Sequence, residues 1–413
     1  MASGAKNAVL PLMAAAVLAA GEYRLVGVPR LADVEVMAEI LRRLGVKVRE
    51  EREGDLRCLC LDTRTMREWR IHEFLMRGLR SSIFLLGPLL GRMGEATVSF
   101  PGGCAIGPRP VDLHLQALRA LGAKLDESHG CIHAQAAALT GGEVVLSYPS
   151  VGATETAIMA AVLARGETVL RGAAREPEIV DLQNFFNGLG ARIRGAGTTV
   201  IRITGVERLH SMGQHCVISD RIEAGTYLLA GAISGGEVQV DGARADHLRA
   251  FLHKLVRAGV VIRENEAGIT VEGTRRLQGV TLKTGPYPGF PTDLQPQISV
   301  LAALAEGESR ITETVFENRL GHWNELRKLG ARVLLKDRTA LVAGGQLRGA
   351  KVAADDLRGG AALILAGLAA AGETVVEGSG HIDRGYENLE GKLGSLGARI
   401  RREVDEVGKL ASG

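Results

Sequence analysis

The run Ala8-Val-Leu-Pro-Leu-Met-Ala-Ala-Ala-Val-Leu-Ala-Ala20, followed at once by Gly21-Glu22, decides the fold of this chain. It is apolar on every side, and a helix without a polar face is buried all round. The run is too short for a membrane span, and Lys6 is the only basic residue before it, so a signal peptide is not indicated either. We therefore predict a helix at the centre of a folded domain.

The same phrase returns about every 70 residues along the chain. A small-residue helix ends in Gly-Glu and an apolar strand follows, at 21–22, 94–95, 166–167, 236–237, 307–308 and 372–373. A second helix then ends at a glycine and an alternating strand begins, at 44–48, 121–125, 189–193, 258–262, 329–333 and 396–400. This periodicity predicts six copies of one unit that contains a helix, a strand, a second helix and further strands.

The first helix of each copy is as apolar as the opening run. These helices are predicted at 8–20, 83–90, 157–163, 227–233, 298–305 and 361–371. The second helix is amphipathic, as at 34–44 and 111–121, and should cover a surface. We therefore predict an α/β fold of two inside-out α/β barrel domains, each of three repeated units around internal helices. The first domain is placed at 7–215 and the second at 216–413, with the seam in the irregular stretch 210–220.

Length, charge and cysteine content narrow the class of protein. A chain of 413 residues is too long for one ordinary core. A net charge of +3, without a run of Lys or Arg, gives no indication of nucleic-acid binding. The cysteines are odd in number and irregularly spaced, which argues against a disulfide framework or a zinc site and favours a reducing cytosol. Cys58, Cys60, Cys131 and Cys216 are expected to be packing residues.

Basic residues stand where several internal helices begin. They are Lys6, Arg80, Arg221 and Arg358. Helix N-termini already expose free N–H groups and a partial positive charge, so a cation there suggests an anionic ligand. Ser150, Asp220 and Asp293 at similar positions are equally consistent with ordinary helix caps. If these helix ends face one cleft between the domains, the cleft is an anion site.

The segment Pro101-Gly-Gly-Cys-Ala-Ile-Gly-Pro-Arg-Pro110 is a loop, because glycine and proline interrupt it throughout. It carries the thiol of Cys104 and the guanidinium of Arg109, and such a loop can hold both side chains over one ligand. A surface turn with an incidental cysteine is the alternative, since free cysteines are often inert. We expect this loop to act as a lid.

Several specific motifs support the ligand-binding interpretation. In order, the chain contains Ser3-Gly-Ala-Lys-Asn-Ala8, the 101–112 loop, Ser150-Val-Gly-Ala-Thr154, Ala174-Arg-Glu-Pro-Glu-Ile-Val-Asp181, Phe290-Pro-Thr-Asp293, Ile311-Thr-Glu-Thr-Val-Phe-Glu-Asn-Arg319, Asp356-Leu-Arg358 and His381-Ile-Asp-Arg-Gly-Tyr-Glu387. Together they resemble the UDP-N-acetylglucosamine enolpyruvyl transferases (1-carboxyvinyltransferases) of the EPSP synthase-like superfamily, over essentially the whole chain. The fold of that family is two inside-out α/β domains of three units each.

The resemblance implies transfer of the enolpyruvyl group of phosphoenolpyruvate to the 3-hydroxyl of UDP-N-acetylglucosamine. Phosphate is released, and this is the first committed step of peptidoglycan synthesis. The reaction is implied to pass through a tetrahedral intermediate without a metal or organic cofactor. It needs an acid for the vinyl carbon, a base for the sugar hydroxyl and a cage of cations. No nucleic acid, membrane or obligate protein partner is implied.

The resemblance also assigns residues by motif position. Cys104 is the implied proton donor, forms an adduct with phosphoenolpyruvate and is the residue alkylated by fosfomycin, while Asp293 is the implied base. Lys6 and Arg384 are implied to share in catalysis. The implied phosphoenolpyruvate ligands are Lys6, Asn7, Arg109, Arg319, Arg358 and Arg384. The implied nucleotide-sugar ligands are Arg80, Arg109, Pro110, Val111, Asp112, Leu113, Tyr148, Pro149, Ser150, Val151, Asp293 and Val315.

Some residues keep a structural alternative. Arg319 and Arg384 stand beside acids in the sequence and could be ion-paired surface residues. His114 is expected near the cleft without an assigned role, and His381 is expected to be structural. Glu176 and Glu178 are expected to make contacts between the domains or at a hinge.

The chain departs from the family pattern at its beginning, where family members carry a further strand that pairs with the second domain. The sequence as given begins at Met1, so we expect that strand to be absent, a sheet edge to be unpaired and Lys6 to lie in a loosely held terminus.

Two alternative functions stay open. The sibling enzyme that acts on shikimate 3-phosphate shares the sixfold architecture, but it is not expected to carry a cysteine at position 104. A catalytically silent paralogue that binds the nucleotide sugar or a regulatory partner is the second alternative, and the shortened beginning is its support.

Overall fold

Each repeat of the sequence folds as a helix, a strand, a second helix and a hairpin, except that no hairpin follows the second helix of the last copy within the described residues. The computed structural model describes residues 1–71, 80–100, 106–107, 110–210, 213–274 and 276–403, with only the backbone of Arg80 and Ser81. Its helices are α1 (Lys6–Ala15), α2 (Ala32–Arg43), α3 (Leu86–Met93), α4 (Asp112–Ala120), α5 (Val151–Ala161), α6 (Pro177–Gly188), α7 (Arg221–Ser234), α8 (Ala245–Arg257), α9 (Gln295–Leu304), α10 (His322–Lys328), α11 (Leu357–Ala369) and α12 (Leu389–Ser395).

Short strands alternate with these helices. They are β1 (Glu22–Val26), β2 (Lys47–Glu53), β3 (Leu56–Asp62), β4 (Glu95–Ser99), β5 (Lys124–Ser128), β6 (Cys131–Gln135), β7 (Glu143–Val145), β8 (Glu167–Arg171), β9 (Arg192–Arg194), β10 (Val200–Thr204), β11 (His215–Cys216), β12 (Glu237–Asp241), β13 (Val261–Glu264), β14 (Gly268–Glu272), β15 (Thr281–Lys283), β16 (Glu308–Thr312), β17 (Arg332–Lys336), β18 (Thr339–Ala343), β19 (Lys351–Ala353) and β20 (Val375–Glu377). Short 3₁₀-helices occupy Ala16–Leu18, Arg80–Leu85, Thr292–Leu294 and Ser379–Arg384.

The apolar helices predicted from the sequence lie at the centres of the two halves. Helices α7, α9 and α11 contact one another in the second half, and α3 contacts both α5 and the turn after α1 in the first half. Outer helices are amphipathic: α8 buries Leu248, Phe251, Leu252 and Leu255, which recur at helical spacing on one face. Helices inside and sheets outside confirm the predicted inside-out α/β architecture.

Small sheets surround these helices, and each is built on one pattern. The strand after an inner helix pairs antiparallel with one arm of a hairpin, as β1 does with β3 and β16 with β18. A short parallel strand often completes its other side, as in β11 beside β1, β7 beside β8 and β15 beside β16. This repeated pairing is the structural form of the periodic sequence.

Two hydrophobic cores form, and two chain segments join them. The first core draws on buried residues from Val9 to Leu209, whereas the second draws on Ala2 and on residues from Ile222 to Leu393. The joining segments, 3–5 and 218–220, pair antiparallel, with Ala5 N–H donating to the Ile218 carbonyl at 2.7 Å. The predicted boundary after residue 215 falls inside β11, which still pairs with β1, so the crossing itself lies at 217–220.

The start of the chain is held firmly, so the expectation of a loose terminus is wrong. The Ala2 N–H donates to the Asp241 carbonyl at 3.0 Å, and Asp220 N–H donates to the Ser3 carbonyl at 2.8 Å. Gly4 fits because a Cβ there would lie 2.0 Å from the carbonyl oxygen of Gly27. Among the described strands, β12 pairs only with β14. On its other edge, the carbonyl of Asp241 accepts the hydrogen bond from Ala2.

Two further expectations differ from the structure. The strand predicted after residue 396 is not formed within 398–403, which pairs with neither β19 nor β20. Cys216 is exposed and is therefore no packing residue, whereas Cys58 and Cys60 are buried as expected. None of the described helices is both long enough and apolar enough to cross a membrane.

Candidate active site

One carboxylate joins two cations from opposite ends of the chain. The Asp33 carboxylate, on the first turn of α2, lies 2.6 Å from the Lys6 ammonium and 2.9 Å from Nε of Arg384. Only 6 % of the Asp33 side chain is exposed. Arg384 therefore pairs with Asp33 rather than with its sequence neighbours, so the alternative of a local surface ion pair is wrong for this residue.

A second carboxylate, Asp293, lies between two buried arginines just before α9. Its oxygens are 2.7 Å from Nη1 of Arg319 and 3.2 Å from Nη2 of Arg358. The Arg319 side chain is 4 % exposed, so the surface alternative is wrong for it too. Burial acts to raise the pKa of Asp293, but the two guanidinium groups outweigh it and hold this pKa well below its usual range.

The two clusters together form a cationic site. Burial lowers the pKa of Lys6, and the positive charges of Arg358 and Arg384 lower it further, while Asp33 opposes both. Nη1 of Arg358 and Nε of Arg319 are buried without a hydrogen-bond partner among the described residues. Four cations face two carboxylates, so an excess positive charge and unused N–H donors remain for an anion.

Helix geometry adds to this charge. Lys6 and Arg221 are the first residues of α1 and α7, and Arg358 is the second residue of α11. Asn7 follows Lys6 on α1 and is half-buried. Asp220 accepts from N–H groups at the starts of α1 and α7, and Asp356 does so at α11, so the capping alternative holds for these acids. The cationic side chains at the same helix starts provide the positive charge that favours an anion.

Residues 106 and 107 of the 101–110 segment contact the second half of the molecule. Ile106 is buried, and its carbonyl accepts a hydrogen bond from Asn318 N–H at 3.1 Å. Gly107 has φ +118°, and a Cβ there would lie 3.0 Å from the Glu317 carboxylate. Cys104, Arg109 and the Arg80 side chain lie outside the described residues, so their roles stay predictions.

Two predicted nucleotide-binding segments lie side by side in the first half. The His114 ring, on α4, contacts Thr156 Oγ1 of α5 through Nδ1 at 2.9 Å. This contact, between helices that pack together, brings the segment 110–113 next to 148–151. Val111 is buried, whereas Pro110, Asp112 and Tyr148 are exposed and available to a ligand. Pro149 precedes Ser150, whose hydroxyl accepts from Ala153 N–H and caps α5.

A buried glutamate shapes the turn that carries Val315. The Glu313 carboxylate accepts hydrogen bonds from Val315 N–H at 2.8 Å and Thr292 Oγ1 at 2.9 Å. Arg319 also donates to Thr292 Oγ1, at 3.3 Å. The Val315 turn, Asp293 and Arg319 are thus fixed as one unit. Burial raises the pKa of Tyr148, and the charges of Glu176 and Glu313 add to this.

An acidic cluster connects the two halves behind the site. Glu178 of α6 forms an ion pair with Arg221 of α7 at 3.0 Å, and Tyr287 N–H donates to Glu176 at 3.4 Å. Glu155, on α5, is 1 % exposed, and neither of its carboxylate oxygens has a hydrogen-bond partner among the described residues. Glu176 and Glu178 thus lie between the halves, where the sequence led us to expect them.

Sequence reasoning missed three acids of this region, which are Asp33, Glu155 and Glu313. Asp33 and Glu155 lie in helices outside the quoted motifs, and Glu313 lies within the 311–319 motif without an assigned role. All three are buried although acids are usually exposed. An unexplained carboxylate within an apolar helix, as at Glu155, was the one available signal. No cluster of His, Cys, Asp and Glu suited to a metal ion occurs in the parts of the chain that the structure describes.

Comparison with known proteins gives a consistent picture. The family model described as EPSP synthase (3-phosphoshikimate 1-carboxyvinyltransferase) matches residues 1–393. The chain is 54 % identical to UDP-N-acetylglucosamine 1-carboxyvinyltransferase 1 of Symbiobacterium thermophilum, over 97 % of this chain and 91 % of that protein. It is 51 % identical to UDP-N-acetylglucosamine 1-carboxyvinyltransferase of Azorhizobium caulinodans, over 97 % of this chain and 95 % of that protein.

Solved structures agree on the fold. The enolpyruvyl transferase NikO from Streptomyces tendae superposes with a TM-score of 0.87 at 28 % identity, covering 97 % of this chain and 94 % of that one. EPSP synthase from Acinetobacter baumannii superposes with a TM-score of 0.75 at 17 % identity, covering 98 % of this chain and 96 % of that one. This match supports the fold alone. The architecture, the caged carboxylate and the near-complete match to these relatives show that this chain belongs to the EPSP synthase family of enolpyruvyl transferases, among the UDP-N-acetylglucosamine 1-carboxyvinyltransferases.

Proposed function

We propose that this protein transfers the enolpyruvyl group of phosphoenolpyruvate to the 3-hydroxyl of UDP-N-acetylglucosamine and releases phosphate. The observation that carries the proposal is Asp293, a carboxylate held between Arg319 and Arg358 beside Lys6 and Arg384. Such a site combines a base with a cage for a small, highly charged anion. The names of the most similar relatives agree with these two substrates.

The cations would bind phosphoenolpyruvate through its carboxylate and phosphate. Arginine suits this task because its planar fork donates two parallel hydrogen bonds to either group. The unused nitrogens of Arg319 and Arg358 are buried donors that an anion would satisfy. We include Lys6, Asn7, Arg109 and Arg384 in the same set.

Asp293 would accept the proton of the sugar 3-hydroxyl as the oxygen attacks C2 of phosphoenolpyruvate. Its two arginines make it a weak base on their own, because they hold its pKa low. Anionic groups of phosphoenolpyruvate would take up part of their positive charge. The pKa of Asp293 would then rise toward the working range of a base, and only when substrate is present.

Cys104 would deliver a proton to the methylene carbon in the addition step. In the elimination step the resulting methyl group would lose a proton to a base as phosphate leaves, which restores the carbon–carbon double bond. Ile106, two residues beyond Cys104 in the sequence, contacts Asn318, and this supports closure of the segment over bound substrates. Arg80, the segment 109–113, the segment 148–151 and Val315 would hold the nucleotide sugar. The proposal also includes a cytoplasmic location, a role in peptidoglycan synthesis and inhibition by fosfomycin, which would alkylate Cys104.

The two alternatives predict different substrates or no turnover. The relatives that match over nearly the whole chain at 54 % and 51 % identity carry the UDP-N-acetylglucosamine name, whereas an EPSP synthase structure matches at 17 %. Similarity thus favours the nucleotide sugar over shikimate 3-phosphate. The silent paralogue was supported by the expectation of a loose terminus, and residues 2–6 are held in place by hydrogen bonds and the Lys6–Asp33 ion pair.

The test is release of inorganic phosphate from phosphoenolpyruvate by the purified protein, with each candidate acceptor in turn. We expect release that depends strictly on UDP-N-acetylglucosamine. Asp293→Asn should lower kcat by on the order of 10²–10⁴, because a positioned base contributes about that much. Asp246→Asn is a matched control, since Asp246 is an exposed acid of the same half that pairs with Arg244.

Each outcome of this experiment is informative. Release with shikimate 3-phosphate alone would support the sibling enzyme instead. Binding of UDP-N-acetylglucosamine without any release of phosphate would support the silent paralogue. Full activity of Asp293→Asn would refute Asp293 as the base while leaving the overall reaction in place.

A further inference from the structure

Asp33 is a buried carboxylate that no part of the proposed chemistry uses. It belongs to α2 of the first half, yet it contacts Arg384 of the second half, 351 positions away in the chain. The same carboxylate contacts Lys6 at 2.6 Å. Both partners belong to the set proposed to bind phosphoenolpyruvate, so Asp33 lies directly behind the anion site.

The cations need such a counter-charge. The charges that act on the Lys6 ammonium are Arg358 and Arg384, which repel it, and Asp33, which attracts it. Asp220, the fourth charged group on this side, accepts a hydrogen bond from the backbone N–H of Lys6 at 3.2 Å. Without Asp33, two long and flexible side chains of like charge would have no partner to fix their positions.

The orientation of Arg384 depends on Asp33 especially. The Arg384 side chain is 42 % exposed, in contrast to the nearly buried Arg319 and Arg358. It begins from a 3₁₀ turn of the second half, so its head group crosses to the first half to reach Asp33. A contact through both Nε at 2.9 Å and Nη2 at 3.5 Å sets the plane of the guanidinium.

We propose that Asp33 is a positioning residue, which holds Lys6 and Arg384 in the geometry that binds phosphoenolpyruvate and ties the two halves together at this point. The inference rests on the proposed function. Asp33 touches neither substrate in this scheme and acts through its two cations. An ion pair that served only for stability would leave substrate affinity and pH dependence unchanged.

Asp33→Asn keeps the size of the side chain and removes its charge. We expect the KM for phosphoenolpyruvate to rise about tenfold or more, because a hydrogen bond to a charged group is lost at each cation. The KM for UDP-N-acetylglucosamine should change little. Since Asp33 raises the pKa of Lys6, its loss should shift the alkaline limit of kcat/KM for phosphoenolpyruvate to lower pH, where Lys6 begins to lose its proton.

Two further variants make the result specific. Asp33→Glu keeps the charge and should restore part of the phosphoenolpyruvate affinity. Glu35→Gln is the matched control, because Glu35 lies on the same first turn of α2 but is half exposed and pairs with Arg57. It removes the same charge from the helix start and should leave both KM values and the pH limit as in the wild type.

The affinity of each protein for phosphoenolpyruvate, measured by titration calorimetry, separates this inference from the proposed reaction. Weaker binding by Asp33→Asn than by the wild type and Glu35→Gln supports the positioning role, even if no phosphate is released. Turnover by the wild type with unchanged KM, unchanged alkaline limit and unchanged binding in Asp33→Asn would overturn it while leaving the reaction established. A lower thermal stability alone would count as a structural role and against positioning.

Discussion

At the scale of single residues, Glu155 is the acid whose surroundings are least favourable to a charge. It lies on an inner helix, is 1 % exposed and has no hydrogen-bond partner among the described residues. Burial raises its pKa well above the usual range, and the negative charges of Glu178 and Glu176 add to this shift. The folded protein therefore keeps a proton on Glu155 at a pH where the unfolded chain has lost it.

The raised pKa of Glu155 lowers the free energy of unfolding as the pH rises, and replacing Glu155 by a residue that does not titrate should remove this loss. Between the unfolded pKa near ~4.3 and the raised folded pKa, each pH unit lowers the wild-type free energy of unfolding by up to about 1.4 kcal/mol through this group. Glu155→Gln mimics the protonated form and has no proton to gain. We expect its stability relative to the wild type to be greater at pH 8 than at pH 5, as measured by urea unfolding. Glu266→Gln, at an exposed position, is the control, and an equal difference at both pH values would refute the assignment.

At the scale of elements, one carboxylate caps two helices from different halves. Asp220 Oδ1 accepts from Ile222 and Glu223 N–H at 2.8 Å and 3.0 Å, which caps α7. Its Oδ2 accepts from the N–H of Lys6 at the start of α1. The helix starts that provide the anion site are thus fixed relative to each other by Asp220.

Removal of this shared cap should cost more than removal of an ordinary one. A side-chain cap contributes about 1 kcal/mol, so Asp220→Ala should lower the free energy of unfolding by about 2 kcal/mol. Asp356→Ala, which removes the single cap of α11, should cost about 1 kcal/mol. Asp220→Asn keeps an acceptor and should lose less than Asp220→Ala. Equal losses in the two alanine variants, measured by urea unfolding, would show that the contact with α1 contributes nothing.

At the scale of the whole molecule, two cores share no residue and meet through a few specific contacts. These contacts include the paired segments 3–5 and 218–220, the Glu178–Arg221 and Asp33–Arg384 ion pairs, and the hydrogen bonds Asn318–Ile106 and Tyr287–Glu176. Most of them are polar, and interfaces of that kind permit relative motion of domains. We propose from this that residues on either side of the 217–220 crossing form separate units of stability.

Calorimetry of core variants tests that division. Phe186→Leu alters the first core and Phe251→Leu the second, and both side chains are fully buried. Each loses about 1 kcal/mol of packing and should lower the melting temperature of one resolved transition while the other is unchanged. A single transition that shifts equally in both variants would show that the halves unfold as one unit.

How much the sequence could predict depends on the range of the interactions concerned. The six inner helices and the strands that follow them were predicted because an all-apolar run, a terminal glycine and an alternating strand are local signals. The strand predicted after residue 396 was wrong, since a strand also needs a neighbour to pair with, and 398–403 has none among β19 and β20. The looseness expected at Lys6 was wrong for a related reason, because its partners lie elsewhere in the chain.

By itself, the sequence determined the repeated unit, the inside-out arrangement and the presence of cations at several helix starts. Only the tertiary structure decided which carboxylates those cations meet. Asp33 and Arg384 are 351 positions apart, and nothing in the spacing of either residue points to the other. Their contact follows from the way the two cores pack across the 217–220 crossing, which buries Asp33 within reach of the partly exposed Arg384. Packing between such distant parts of the chain leaves no local signal in the sequence.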